Sequence, residues 1–283
     1  MRLACVGDNV VDVYTSLGLM FPGGNAVNVA VAARRAGVEA SYLGVLGSDA
    51  AGRAVLRSLR EEGVSLERLR VRDGPNAYCT VEIVDGDRRF LVSDLGVSRF
   101  VLDADDLSFL ATNDLVHTGD TSHLDDQIRD VAERVPVSFD FAEQPEEYWS
   151  RLVDCVSIAT FSATQLSDKE ASDFARRVVD LGPRIVLVTL GERGALALDS
   201  EGAHFSRSSV SPVDNLGAGD SLIGTFLAGV LLNNGIGDSL DRGSDRAAAT
   251  CLHHGAFGHG FPIEGIPTTT TEMSSPPAVE ALG

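Results

Sequence analysis

No run of about 18 consecutive apolar residues occurs in this 283-residue chain, which excludes a helical membrane span. A basic excess is missing too. The 23 lysines and arginines face 41 aspartates and glutamates, a formal net charge of −18. Without a cationic patch to replace phosphate counterions, nucleic acid is excluded as a partner. Cysteine is scarce: Cys5, Cys79, Cys155 and Cys251 are scattered among apolar neighbours, with no CxxC or ligand-like spacing. Buried free thiols in a reducing cytoplasm are the expectation. The start, MRLACVGDNVVD, has neither an apolar h-region nor a small-residue cleavage site, so no secretory signal is expected. The adjacent pair His253-His254 cannot share one helix face, which argues against a metal there.

What is present alternates. Short apolar runs suited to buried strands occur at Leu3–Val6, Ser41–Leu46, Leu115–His117, Val137–Asp140, Val156–Ala159 and Ile185–Leu190. Helical stretches are expected between them at Asn25–Ala36, Asp49–Glu62, Asp125–Glu133 and Asp168–Leu181. Gly37 and Gly63 stand where helices end on a left-handed residue. Ser167-Asp-Lys-Glu170 has the form of a capping box. Such alternation predicts an α/β fold whose mostly parallel sheet is covered by helices on both faces. One segment breaks the rhythm: Ala77–Val84 alternates in polarity, Asp85-Gly86 supplies a tight turn, and Arg89–Ser93 runs back. A hairpin inserted at about residues 76–94 is expected to cover something or to pair with a second chain, since a lone hairpin is marginal in water. Residues 1–266 form one expected domain, and the polar, Pro-rich 267–283 an expected disordered tail.

The chemistry concentrates in Asp214-Asn-Leu-Gly-Ala-Gly-Asp220, which runs directly into the apolar segment SLIGTFLAGVLL. Gly217, Ala218 and Gly219 thus lie in a turn feeding a helix N-terminus. Free N–H groups and the helix dipole there make an anion site without lysine or arginine. Asp220 beside such a site is repelled by the anion. It serves either as a cap of the helix or as a base that takes a proton from a hydroxyl attacking a phosphoryl group. No G-x-x-x-x-G-K-[ST] loop occurs, and Leu222 breaks a dinucleotide G-x-G-x-x-G pattern.

DNLGAGDSLIGTFLAG resembles the C-terminal signature of the PfkB (ribokinase) family of sugar kinases. Gly23-Gly24-Asn-Ala-Val-Asn28 resembles the family's Gly-Gly pair before a helix, and Thr189-Leu-Gly-Glu-Arg-Gly194 its nucleotide loop. The stretches GDNVVDVY, FPGGNAVNVAVAARRAG, GDRRF and HHGAFG look most like the fructoselysine 6-kinase branch.

The resemblance implies a ribokinase-like fold with a small β lid, which often builds a dimer contact. The implied reaction is phosphate transfer from MgATP to a sugar hydroxyl. It implies that Asp220 is the base and that Gly217, Ala218 and Gly219 form the anion hole. Asp8, Asp12, Gly23, Gly24 and Asn28 are the implied sugar contacts, with Asp12 placed at the end of the first strand. Thr189, Gly191, Gly194 and Gly219 are the implied ATP contacts, with Ser244 and Ala247 near the adenine. Asp214 resembles the acid that holds a monovalent cation, with K+ the candidate ion. The family's usual N-x-x-E glutamate, which organises Mg2+ through water, is replaced by Gln165, leaving Asp168 or Glu170 as candidate substitutes. Asp140 and Glu143 are further candidates for touching substrate, and Arg88, Arg89 and Glu143 for holding the charged arm of a fructosamine.

Overall fold

The computed structural model describes residues 1–84, 87–207 and 210–265, with the backbone alone described over 82–84 and 87–92. The expected tail and the Arg88 and Arg89 side chains lie outside the described residues.

Along the chain, strands β1 (Arg2–Val6), β2 (Val10–Tyr14) and β3 (Leu19–Gly23) precede helix α1 (Asn25–Arg35). Next come β4 (Glu39–Leu43), β5 (Val45–Gly47), α2 (Ala50–Glu61) and β6 (Arg70–Arg72). The expected hairpin is β7 (Tyr78–Val84) with β8 (Asp87–Asp94). Four strand–helix repeats then follow in outline: α3 (Ala104–Leu110), β9 (Leu115–Gly119), α4 (Ile128–Ala132), β10 (Val137–Asp140), α5 (Glu146–Trp149), β11 (Ile158–Ser162), α6 (Asp168–Val179) and β12 (Ile185–Thr189). The chain ends on β13 (Ala195–Asp199), β14 (Gly202–Ser206), α7 (Ala218–Leu231), α8 (Ile236–Thr250) and β15 (Phe261–Pro262).

Eight strands form the main sheet in the order β14-β13-β12-β11-β10-β9-β1-β4. Six of them, from β4 through β12, run parallel, and β13 and β14 continue antiparallel. Because strand side chains alternate, each parallel strand feeds two cores. Leu3, Cys5, Ile185 and Leu187 pack towards α1, α2, α7 and α8, while Ala4, Val6, Val186 and Val188 join the core on the other face with residues of α4 and α6. The sandwich expected from the alternating pattern is therefore present. The capping box at the start of α6 is also there: the Ser167 hydroxyl accepts from the Glu170 N–H, and Glu170 accepts from the Ser167 N–H.

Several expectations need correction. The hairpin is not a free insert: β7 pairs with β2, and the second sheet runs β15-β3-β2-β7-β8, five strands from three parts of the chain. Val81, on its apolar face, is buried against Tyr14 and Phe21 of the same chain, so at that position no second subunit is needed to cover it. Asp12 stands within β2, not at the end of the first strand. The single strand expected at Ser41–Leu46 breaks at Gly44, where a Cβ would collide with the Tyr42 hydroxyl. Its second half, β5, pairs with β6 instead. Of the four cysteines expected to be buried, Cys5 and Cys251 are buried and Cys79 and Cys155 only half-buried.

Helices α1, α7 and α8 touch at small residues. A Cβ on Gly224 would sit 2.5 Å from the Val29 carbonyl oxygen and 2.7 Å from Ala32 Cβ. Gly243 likewise meets the Leu222 carbonyl of α7 at 3.0 Å. Gly224→Ala should gain about 0.5–1 kcal/mol of helix propensity but suffer about 1–3 kcal/mol of overpacking against backbone. A lowered thermal or denaturant midpoint is expected. An unchanged or raised midpoint would show that α1 and α7 separate without cost.

Candidate active site

In an open α/β sheet, ligands gather beyond the carboxyl ends of the strands, where neighbouring connections diverge to opposite sides. Here that point lies between β1, whose chain leaves towards β4, and β9, whose chain leaves towards β10. Asp8, Asp120 and Asp140 stand just past or at the ends of β1, β9 and β10. The N-termini of α1 and α7 converge on the same edge. Two surface hollows, one lined by Arg34 and Arg60 and one by Arg68 and Asn113, lie by the amino ends of the strands instead.

Asp220, in the first turn of α7, is held from both sides by α1. The Asn28 side-chain amide donates to its Oδ2 at 2.7 Å and the Asn25 amide to its Oδ1 at 2.9 Å. The same Asn25 nitrogen donates to Asp140 Oδ2 at 2.8 Å. Asn25 Oδ1 accepts from the buried His117, 3.1 Å away. Burial acts on both carboxyls. Asp220 is pushed up to about 6 by burial, with the Asp8 charge adding to it and the two asparagines opposing. Asp140 is pushed up to about 7 by burial and by the nearby Asp220 charge. Asp120 is raised as well, again chiefly by burial.

Gly217 caps α7 in the left-handed conformation, φ 71°, and its missing Cβ leaves room for Ala256. The Ala218 N–H leans back on the Asn215 carbonyl at 3.3 Å. Nothing lies within 4 Å of where a Cβ on Gly219 would be, so the helix start opens on free space there. First-turn N–H groups have no carbonyl four residues back in the helix, which suits them to an incoming anion.

The remaining expected residues sort differently. Asp8 accepts from the Asn25 and Ala26 N–H groups at 3.0 and 3.2 Å, so its first task is to cap α1, whose own N-cap, Gly24, has no side chain. Gly23 and Gly24 owe their missing side chains to the protein itself: a Cβ on Gly23 would strike the Asp12 carboxylate, and one on Gly24, at φ 103°, would lie 2.7 Å from Asn9 Cα. Asp12 is 5% exposed. Asp214 accepts from the Tyr14 hydroxyl at 2.6 Å and from the N–H groups of Leu216 and Gly255 at 3.0 and 3.1 Å. Thr189 ends β12, and Gly191 and Gly194, both at positive φ, bracket the turn into β13. A Cβ on Gly194 would collide with the Ser206 carbonyl of β14. Ser244 is buried within α8, and Ala247, one turn on, is half-buried. Gln165 is exposed. The two candidate substitutes near it are engaged: Asp168 pairs with Arg193 at 2.9 Å and with Arg207, and Glu170 closes the cap of α6. Among the described residues, no group of three or more His, Cys, Asp or Glu is placed to hold a metal. Glu143 is exposed just beyond Asp140.

Asn25, His117 and Tyr14 were not singled out by sequence reasoning. Asn25 sits inside a motif that was, between Gly24 and Asn28. Tyr14 ends the noted stretch GDNVVDVY, but nothing local marks its role or that of His117, since their partners are 200 and 92 residues away in sequence.

A mostly parallel, eight-stranded sheet with a small second sheet and a carboxylate at a glycine-led helix start defines an α/β sugar kinase of the ribokinase-like type. The model of the pfkB family carbohydrate kinases matches residues 9–259, and the chain belongs to that family. It is 38% identical over 269 residues to a fructosamine kinase of Bacillus subtilis, spanning 93% of this chain and 95% of that one. It is 36% identical over 261 residues to the fructoselysine 6-kinase of Escherichia coli, spanning 90% and 99%. Among solved structures, Arabidopsis thaliana ribokinase with ribose and ATP superposes with a TM-score of 0.76 at 21% identity, covering 90% of this chain and 93% of that one. The 2-dehydro-3-deoxygluconokinase of Thermotoga maritima does so with 0.80 at 16% identity, covering 91% and 96%.

The carboxyl signals of Asp140 and Asp220, followed by carbon-detected NMR, should titrate as a coupled pair between about 6 and about 7. Asn28→Leu removes a donor to the ionised form of Asp220 and should move the transition upward. Titration of both groups near 4 would contradict the geometry.

Proposed function

We propose that this protein transfers the γ-phosphoryl group of MgATP to the 6-hydroxyl of a fructosamine such as fructoselysine. The observation that carries the catalytic part is Asp220, aimed by Asn25 and Asn28 at the mouth of a helix start that opens on free space. The sugar oxygen attacks the γ-phosphorus while Asp220 takes its proton. The bond from phosphorus to the bridging oxygen breaks, and ADP leaves. Amides at the start of α7, around Gly217, Ala218 and Gly219, meet the charge of the transferring group. With a pKa near 6, Asp220 is largely ionised at neutral pH yet basic enough to accept a proton in the transition state.

The sugar is read as lying between α1 and the second sheet, against Asn28 and Asp12, with that sheet as the lid. ATP lies along the turn bracketed by Gly191 and Gly194, against α8. Magnesium enters with the nucleotide, whose phosphates supply its anionic ligands, because Gln165 offers no charge and Asp168 and Glu170 are engaged elsewhere. A potassium ion at Asp214 would meet a carboxylate that already accepts from the Tyr14 hydroxyl and the Leu216 and Gly255 N–H groups. Residence in the cytoplasm and pairing through the lid belong to the same reading.

The fructosamine rests on two relatives, named as fructosamine and fructoselysine kinases, that align over nine-tenths or more of this chain. The site's charge agrees with it. Asp8, Asp120, Asp140 and the exposed Glu143 surround the sugar end of the cleft, which suits a ring bearing an ammonium group better than an acidic sugar such as 2-keto-gluconate.

Asp220→Asn keeps size and capping ability but cannot accept a proton. It should fold normally and lose about 10²–10⁴-fold in kcat with ATP affinity nearly unchanged. Near-normal kcat would remove Asp220 from the mechanism. Steady-state assays at saturating MgATP should rank fructoselysine above fructose, ribose and 2-keto-gluconate, by about tenfold in kcat/KM for each ~1.4 kcal/mol of arm contact kept in the transition state. Equal efficiency with free fructose or ribose would overturn the substrate while leaving a sugar kinase.

A further inference from the structure

The hydrogen bonds around Asn25 run in one direction only. An ionised carboxylate accepts and does not donate, so the Asn25 atom that meets both Asp220 at 2.9 Å and Asp140 at 2.8 Å is its nitrogen. The amide oxygen must then face His117 Nε2, 3.1 Å away, and that ring nitrogen must carry the proton. His117 Nδ1 is left as an acceptor, and the buried Ser138 hydroxyl, 3.1 Å away, donates to it. Burial pushes the imidazole down to about 3, so it stays neutral across the working range and holds this tautomer. The relay starts in the sheet, at β10 and β9, and ends on the two carboxylates.

We propose that His117 is a positioning residue for phosphoryl transfer: it locks the Asn25 amide so that both amide hydrogens point at Asp220 and Asp140. The inference rests on the reading of Asp220 as the base. Without His117 only the two carboxylates orient the amide, and its oxygen loses its donor. Asn25 then turns more readily to the orientation in which its oxygen faces Asp220 and disfavours the ionised form. The other donors to the pair, Asn28 on Asp220 and the Ala142 N–H on Asp140, stay as they are in either orientation. The charged groups acting on it are Asp8 beyond β1 and Asp120 beyond β9, both acidic, while Asn28 supplies one further donor.

The test uses the full-length enzyme and kcat measured against pH. His117→Leu removes the donor, and His117→Gln keeps an N–H near the same place. His117→Leu should lower kcat by roughly 10–100-fold, the range expected for a hydrogen bond to a charged group, with the sugar KM within about twofold of wild type. The acid limb should move upward by on the order of one pH unit. His117→Gln should restore most of the rate and the limb. Wild-type kcat and limb in His117→Leu, or equal loss in both variants, would overturn the proposal. Should His117→Leu fail to fold, Asn25→Leu at the start of α1 carries the test, since the same loss and shift are expected and an unmoved limb overturns it. Asp220→Asn is assayed alongside. If it retains turnover, the base reading and this inference fall together. If it is inactive while the His117 and Asn25 variants behave as wild type, this inference alone falls.

Discussion

Everything at the site depends on how closely α1 approaches α7. Gly224, one helical turn after Asp220, has no side chain because the Val29 carbonyl and Ala32 occupy that space. The contact fixes the two helix starts side by side, and Asn25 and Asn28, one turn apart on α1, reach the Asp220 carboxylate from that distance. A wider separation would leave a half-buried carboxylate without donors, which is costly. The sheet sets the other side. Strands β9 and β10 bring His117 and Asp140 to the same edge, and Asp8 caps α1 from the end of β1.

The electrostatics of the site follow from what it lacks. Among the described residues the groups that lower the pKa of Asp140 and Asp220 are neutral: the side-chain amides of Asn25 and Asn28 and the Ala142 N–H. Amides lower a buried carboxyl's pKa less than a cation would, and the two acids settle between about 6 and about 7. A base in that range suits proton transfer near neutral pH. In the proposed reading the same absence leaves the phosphate charge to the N–H groups at the start of α7.

The six parallel strands of the main sheet were legible because they are short apolar runs between amphipathic helices closed by glycine, as at Gly37 and Gly63. The antiparallel strands β13 and β14 of that sheet were not foreseen. The second sheet was harder. Its strand β2 contains the charged Asp12, β3 ends in Pro22-Gly23, and β15 is two residues long, so only the alternating β7 announced itself. Within the site, Asp220 and Asn28 belong to compact motifs and could be named in advance. Asp8 was noticed but its task was not, because the helix it caps begins 17 residues later and is joined to it only through space. His117 reads in sequence as an ordinary buried strand residue. Its meaning comes from Asn25, which only the packing of α1 against β9 brings within reach.

The central claim is that Asp220 faces the hydroxyl to be phosphorylated. A crystal structure with fructoselysine and a non-hydrolysable ATP analogue tests it most directly. The sugar 6-hydroxyl should lie within hydrogen-bond reach of the Asp220 carboxylate, about 2.6–3.2 Å. It should also lie in line with the γ-phosphorus, with the γ-phosphate over the start of α7. A 6-hydroxyl directed away from Asp220, or a γ-phosphate remote from Gly219, would contradict the account.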